Sequence, residues 1–468
     1  MDGMRILQVS TADRAGGAEA IAWQLFQAYR RLGHHSWLAV GLKRSNNPDV
    51  LPIPNDQCLG RWARVWIATG DLLMPAVGRM RNAARWHRLI QVGIGQPRRW
   101  WDVWRGKEDF GFRGTWQLLK LVPEQPDIVH CHNLHGGWLP NNGYFDLRAL
   151  SWLSHQRPVV LTLHDPWLLS GHCAHSFDCE RWKTGCGNCP DLTIYPAIRR
   201  DATAYNWQRK RKIYGKSRLY VATPCRWLMH KVEQSMLAPY IVEARVIPYG
   251  VDLSVFHPGD RQAVRASLGI RQDARVLLFS ANGIRRNIWK DYQTMRAAVA
   301  QVAARLPKQQ LLFIALGEDA PPEQIGQAEV CFVPYQKDPE SVASYYQAAD
   351  VYVHAARADT FPNTVLEALA CGTPVVATSV GGIPEQVEEG VTGFLTPPGD
   401  ARAMATRTEQ LLSDNPLRQR FAAAAVQSAR RRFNLDRQVN DYLAWYQELI
   451  VRNPSRAVAA AGRDSCHA

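Results

Sequence analysis

A chain of 468 residues is too long for one ordinary core, so two or three domains are expected. Its 46% hydrophobic content suits a folded protein. No run approaches the eighteen apolar residues of a membrane span and no signal-peptide pattern opens the chain, so a cytoplasmic location is the expectation. Ten cysteines then read as thiols or metal ligands before disulfides, and a net charge of +14 suits nucleotide diphosphates, acidic lipid or nucleic acid.

In chain order, Arg5–Ser10 reads as a strand, 15–19 (AGGAE) as a tight turn, and Ala20–Leu32 as a helix stopped at Gly33. The unit lacks a G-x-G-x-x-G fingerprint, which weighs against a nicotinamide or flavin enzyme. Gly16 and Gly17 permit close backbone approach to a ligand, or form an ordinary turn. Residues 55–116 break the alternation of strands and helices. Seven tryptophans (Trp62, Trp66, Trp86, Trp100, Trp101, Trp104, Trp116) interleave there with arginines, and positions 61–113 carry a net +7. This is an insertion on the first domain, either packed against it or seated on an anionic membrane surface.

The sheet resumes at Asp127–His132, and Arg157–Asp165 is a further strand ending in a polar pair. His132, His135, His164 and Asp165 lie at carboxyl ends of strands, where ligands bind in α/β sheets. The segment 171–190 (GHCAHSFDCERWKTGCGNCP) holds Cys173, Cys179, Cys186 and Cys189 at metal-ligand spacing. A structural zinc is expected, with an iron–sulfur cluster or unlinked thiols as alternatives. Residues 196–216 read as a basic helix and Leu219–Thr223 as a strand.

A second domain starts at Val276–Ser280. Arg285 and Lys290 follow that strand; they neutralise a diphosphate or are plain surface charge. In 350–399 a βαβ unit runs through VYVHAA, a helix entered at Asn363 and Thr364, and the strand TPVVAT. The free N–H groups at that helix start suit a phosphate. Glu367, one turn on, accepts from sugar hydroxyls or caps its own helix. Val439–Val451 is an aromatic-rich amphipathic helix, and the Ala-rich tail after Asn453 reads as loose.

Asp359, seven residues, Glu367, then ALACGTPVVAT, GGIPE and GVTGFL resemble the nucleotide-sugar site of retaining glycosyltransferases of family four. The resemblance is strong over the second half and patchy over the first. It implies the GT-B fold, two Rossmann-like doubly wound domains facing a cleft. These are residues 1–240 (with the insertion 55–116 and the cysteine loop 171–190) and 241–435, with helix 436–453 crossing back and 454–468 as tail. RVIPYGVDLSVFHP from Arg245 resembles the interdomain linker. In the family a glutamate stands where this chain has Asp359, one methylene shorter, and touches the transferred sugar, while the position of Glu367 holds the ribose. The spacing of Arg285 and Lys290 matches the diphosphate clamp, the GG-x-E loop at Gly16 and Gly17 faces the donor diphosphate, and His164 lies near sugar and phosphates. Some members share the HD-x-W and GCGNCP block, mostly in bacterial polysaccharide pathways.

The expectation is a retaining hexosyltransferase with catalytic His164 and Asp359. It uses a nucleotide diphosphate sugar and a glycan or polyprenyl-linked acceptor, needs no catalytic cofactor, binds no nucleic acid and sits peripherally on the inner face of the plasma membrane. A sugar-nucleotide epimerase on the same fold and a zinc-stabilised nucleic-acid-binding protein are the alternatives, although no nucleic-acid module is recognisable.

Overall fold

The computed structural model describes residues 3–14, 16–72, 83, 86, 89–139 and 143–453. The expectation for the tail after Asn453, and part of that for the insertion, fall outside them. The chain divides into two compact units, 1–223 with 228–246 and 442–468, and 224–227 with 247–441.

The first unit is built on a seven-stranded parallel sheet. In chain order the strands are β1 (Arg5–Ala12), β2 (His35–Leu42), β3 (Val50–Pro52), β4 (Ile128–Cys131), β5 (Val159–Thr162), β6 (Leu219–Thr223) and β7 (Ile241–Val246). They lie in the order β3-β2-β1-β4-β5-β6-β7. β1, β4, β5 and β6 are almost wholly buried, which is why they read as unbroken apolar runs. β7 corrects the expected boundary at 240, because Arg245 and Val246 pair with β6 as the edge strand of this sheet. Its alternating burial left it without an apolar run. The helix Leu435–Arg452 returns to this unit through its second half, where Tyr442, Trp445, Tyr446 and Leu449 are buried.

The second unit carries β8 (Arg275–Ser280), β9 (Leu311–Leu316), β10 (Glu323–Ile325), β11 (Ala328–Val333), β12 (Val351–His354), β13 (Val375–Thr378) and β14 (Gly393–Thr396). Their order is β10-β11-β9-β8-β12-β13-β14, parallel except for the β10–β11 hairpin. Two Rossmann-like α/β units are therefore present, as expected. In each the strand order reverses at one place, between β1 and β4 and between β8 and β12. Ligands of doubly wound sheets bind beyond the carboxyl ends of the strands at such switch points.

In the insertion no described residue of 55–116 is a strand. It forms helices Arg61–Asp71 and Pro97–Trp104 around a wide turn at Leu89–Ile94. Its tryptophans differ in their surroundings. Trp104 stacks on Trp101 at 4.8 Å and under the Arg200 guanidinium at 3.5 Å, whereas Trp62, Trp86, Trp100 and Trp101 remain exposed.

Candidate active site

At the β8–β12 switch point the chain gathers a compact charged group. β8 runs into the loop that carries Lys290, and β12 ends at His354, five residues before Asp359. Lys290 Nζ donates to Asp359 Oδ2 at 2.5 Å and lies 3.4 Å from His354 Nε2, while His354 Nε2 is 3.4 Å from the same carboxylate oxygen. Tyr352 OH is 3.0 Å from His354 Nδ1 and orients the ring. Burial works against a charged Asp359, but Lys290 and His354 outweigh it and hold the carboxyl well below its usual range. The same burial, with Lys290 adjacent, depresses His354 to about 4. The product is one lysine–aspartate ion pair flanked by a neutral imidazole.

The helix Asn363–Ala370 starts four residues after Asp359, with Pro362 as its N-cap. Asn363 and Thr364 form its first turn, so its N-terminal amides open at the same edge of the sheet. Glu367 does not cap that helix start: its Oε2 accepts from Tyr346 OH at 2.8 Å. Burial raises its carboxyl to about 7, leaving it ready to lose a proton when a ligand offers donors. Arg285, the other residue of the expected clamp, lies on Glu318. Its Nε donates to Glu318 Oε1 at 2.6 Å, and Glu318 Oε2 also accepts from the backbone N–H groups of Ile284 and Arg285. Lys290 thus belongs to the switch-point cluster, whereas Arg285 is held on a carboxylate of its own.

The β1–β4 edge of the first unit is built differently. His132, one residue past β4, reaches His164 Nε2 through Nδ1 at 3.2 Å and Gln8 Oε1 through Nε2 at 2.9 Å. His135 instead pairs with Asp165, Nε2 to Oδ2 at 2.7 Å, and Asp165 also accepts from Trp167 N–H. The three expected histidines gather at one edge but bond as two separate pairs. Burial drives His164 down to about 4 and His130 to about 3, so both rings are neutral near pH 7. His130, masked by its place inside the apolar run of β4, bonds Thr162 Oγ1 at 2.7 Å and Tyr446 OH at 2.6 Å. Gly16 serves as N-cap of the helix Gly17–Arg31, and its N–H donates to Glu19 Oε2 at 3.1 Å. The GG-x-E glutamate therefore closes its own loop.

The four cysteines 173, 179, 186 and 189 line one small cavity with His172, whose Nε2 lies 3.4 Å from Cys189 Sγ. Cys186 and Asn188 are held at positive φ, 56° and 46°, which is costly for non-glycine residues and marks an over-determined turn. Among the described residues no three His, Cys, Asp or Glu side chains stand as a ready ligand set.

The profile of Glycosyltransferase Family 4 matches residues 15–255, and that of Glycosyl transferases group 1 matches 260–428. Curated relatives include D-inositol 3-phosphate glycosyltransferase 1 of Catenulispora acidiphila, 38% identical over 215 residues (43% of this chain, 50% of that protein). The D-inositol 3-phosphate glycosyltransferase of Mycobacterium leprae is 35% identical over 217 residues (43% and 48%). The chain thus spans about half the length of the curated relatives it matches. Among solved structures, sucrose-phosphate synthase from Thermosynechococcus elongatus aligns with TM-score 0.58 at 18% identity, over 96% of this chain and 100% of that one. Anabaena HepE in complex with UDP-glucose aligns with TM-score 0.57 at 17% identity, over 95% and 100%. At such identities the likeness is one of fold.

Proposed function

The chain belongs to glycosyltransferase family 4, and from that premise we propose that it transfers a hexosyl unit, with retention, from a nucleotide diphosphate sugar to a glycan or lipid-linked glycan acceptor. The observation that carries this reading is the Lys290–Asp359–His354 cluster at the β8–β12 switch point, with Glu367 two turns of chain beyond. Lys290 supplies positive charge for the diphosphate leaving group, and the amides at Asn363 and Thr364 add the helix N-terminus. Glu367 accepts from the ribose hydroxyls. Asp359, already neutralised by Lys290, is a weak nucleophile and is suited to holding a sugar hydroxyl, which fits front-face attack without a covalent intermediate. His164, neutral, offers a hydrogen bond to the sugar without adding charge. UDP-glucose, the ligand of the Anabaena neighbour, is the first donor to try.

Calorimetry against a panel of nucleotide sugars and nucleoside diphosphates tests the reading. Micromolar binding of at least one donor, lost in Lys290→Ala, is expected. Failure of every nucleotide to bind would sink it.

A role in bacterial polysaccharide synthesis at the inner face of the plasma membrane completes the proposal. No described helix is long and apolar enough to cross a membrane. The insertion instead exposes Trp62, Trp100 and Trp101 beside the exposed Arg61, Arg64, Arg98 and Arg105. Tryptophan favours the membrane interface, and each basic residue near an anionic leaflet adds about 1 kcal/mol. Arg99 is excluded from this face, because it is tied to Asp109 and Gln96. Wild type should pellet with anionic and not neutral vesicles, and an Arg61→Glu/Arg64→Glu/Arg98→Glu/Arg105→Glu variant should stay in the supernatant. Indifference of the wild type to lipid charge removes the membrane role.

A structural zinc on the four cysteines is likewise proposed, on their shared cavity and the forced turn at Cys186–Asn188. Elemental analysis of protein purified without added metal should find about one zinc per chain; neither zinc nor iron, with four alkylatable thiols, would refute it.

A further inference from the structure

The first unit contains a cavity of about 370 Å³ that the donor reading leaves unused. This is within the range of small-molecule sites. Its walls come from three distant stretches. The segment after β4 supplies Leu134 to Gly137 and Phe145, the insertion supplies Val103 and Lys107 to Asp109, and the exit of the cysteine loop supplies Tyr195 to Ile198, with Trp167 between them.

These walls are fastened to one another. Gly106 sits at φ 83° against Arg200, where a Cβ would fall 1.8 Å from the Arg200 carbonyl oxygen. Asn206 joins the same two stretches, donating to Gly106 O at 3.0 Å and accepting from Glu108 N at 3.0 Å. The Arg200 guanidinium covers Trp104. The cavity is therefore set by packing, and the insertion is one of its sides.

Each of its charged wall residues is paired with a residue behind the wall. Lys107 holds Asp102 at 2.7 Å, Glu108 holds the buried Lys210 at 2.8 Å, Asp109 holds Arg99, and His135 holds Asp165 at 2.7 Å. Lys210 spends its remaining protons on the carbonyls of Trp167 and Ser170 and lies 3.8 Å from the centroid of the Trp167 ring. Among the described wall residues a phosphate would meet the Glu108 and Asp109 carboxylates, and the cation Lys107 is already committed to Asp102. What the cavity does offer is aromatic surface from Phe145, Trp167 and Tyr195, with the Tyr195 hydroxyl 3.4 Å from His135 Nδ1. Flat rings beside a few fixed polar groups suit a ring with an apolar C–H face and a rim of hydroxyls.

We infer that this cavity is an acceptor subsite for a neutral sugar ring, unphosphorylated at the position it encloses, with the tryptophan-rich insertion as one of its walls. The inference rests on the glycosyltransferase reading for the word acceptor. It separates this chain from relatives whose names carry a phosphorylated inositol.

Saturation-transfer NMR on the full chain tests it, with methyl glycosides of glucose, galactose and mannose and their 6-phosphates as probes. At least one neutral glycoside should bind wild type, and its 6-phosphate should bind at least tenfold more weakly. Ala197→Trp, which fills the cavity from a partly exposed wall, should abolish binding. Tyr195→Phe, a milder change, should weaken it about fivefold. Nucleoside diphosphate binding, followed by thermal shift, should be the same in all three proteins. Three results overturn the inference: binding equal in wild type and Ala197→Trp, a phosphorylated ring preferred over its neutral form, or no neutral ring bound at all. Loss of nucleotide binding in the wild type would strike the donor assignment and leave the cavity result standing.

Discussion

The two switch points face the same physical problem and resolve it in opposite ways. At the β8–β12 edge, burial is answered by the adjacent Lys290, so Asp359 stays a carboxylate. At the β1–β4 edge Asp165 is bonded to His135 and only partly offsets the burial of His164, so burial strips the His132 and His164 imidazoles of charge instead. One edge is organised to receive an anion and the other to offer uncharged hydrogen bonds. Equal burial does not give equal electrostatics; the nearest partner decides.

The contrast breaks most sharply at Lys290. Lys290→Ala leaves Asp359 buried without its cation, and a lost charge-assisted bond of roughly 1.5–3 kcal/mol corresponds to about a ten- to hundredfold fall in kcat/KM. The upper end is expected, since Asp359 and His354 both lose their common partner. Steady-state kinetics with unchanged circular dichroism checks it, and wild-type turnover would undo the assignment. Asp359→Glu should retain far more activity than Asp359→Ala if that carboxylate touches the sugar.

Glu367 sharpens the comparison through pH. Its folded pKa is raised to about 7, so the free enzyme carries the proton below that value and sheds it above. Ribose hydroxyls require the carboxylate, so nucleotide affinity should rise by about tenfold from pH 6 to 8, with proton release on binding. Glu367→Gln should lose about tenfold in affinity and flatten that profile. In the unliganded protein the sign is reversed: the stability tied to this raised carboxyl is full below its unfolded value and is lost as pH climbs through about 7.

Much of this was legible beforehand, and the omissions share a cause. Asp359, Glu367 and Lys290 stand beside turns and helix starts, where spacing carries information. His354 ends the apolar run VYVH, so nothing in its neighbourhood distinguished a site residue from strand filler. Glu318 lies 33 residues beyond Arg285, and only the paired ends of β8 and β9 bring it close. Only the end of β7, from Arg245, falls in the linker-like stretch, and the strand itself goes unseen in the sequence because an edge strand with one wet face lacks the hydrophobic run that marks its buried neighbours.

The histidine edge should show the smallest effects. His164→Gln keeps a neutral hydrogen-bonding side chain, so a loss of only a few-fold is expected, with no change in the pH profile above 6. A profile that shifts would mean the ring is charged during turnover. Since His164 and His130 have folded pKa values of about 4 and about 3, stability is full above about 6.5 and is lost as pH falls through those values. Acid unfolding followed by tryptophan fluorescence should show this, and His164→Gln should move the midpoint slightly lower.

The helix Leu435–Arg452 bears on how the chain is made. Tyr446 OH bonds His130 Nδ1 at 2.6 Å and Tyr442 OH bonds Thr162 Oγ1 at 2.8 Å, both inside the unit that begins at the N-terminus. During synthesis the opening 246 residues emerge long before these tyrosines exist, and at ribosomal rates of about 5–20 residues per second the wait is about ten seconds or more. Through that interval the face of β4 and β5 lacks its cover, and His130 keeps Thr162 at Nε2 but lacks Tyr446 at Nδ1. The second unit meanwhile holds all its own strands and should mature first. The half of the protein that is translated first is thus the half that finishes folding last.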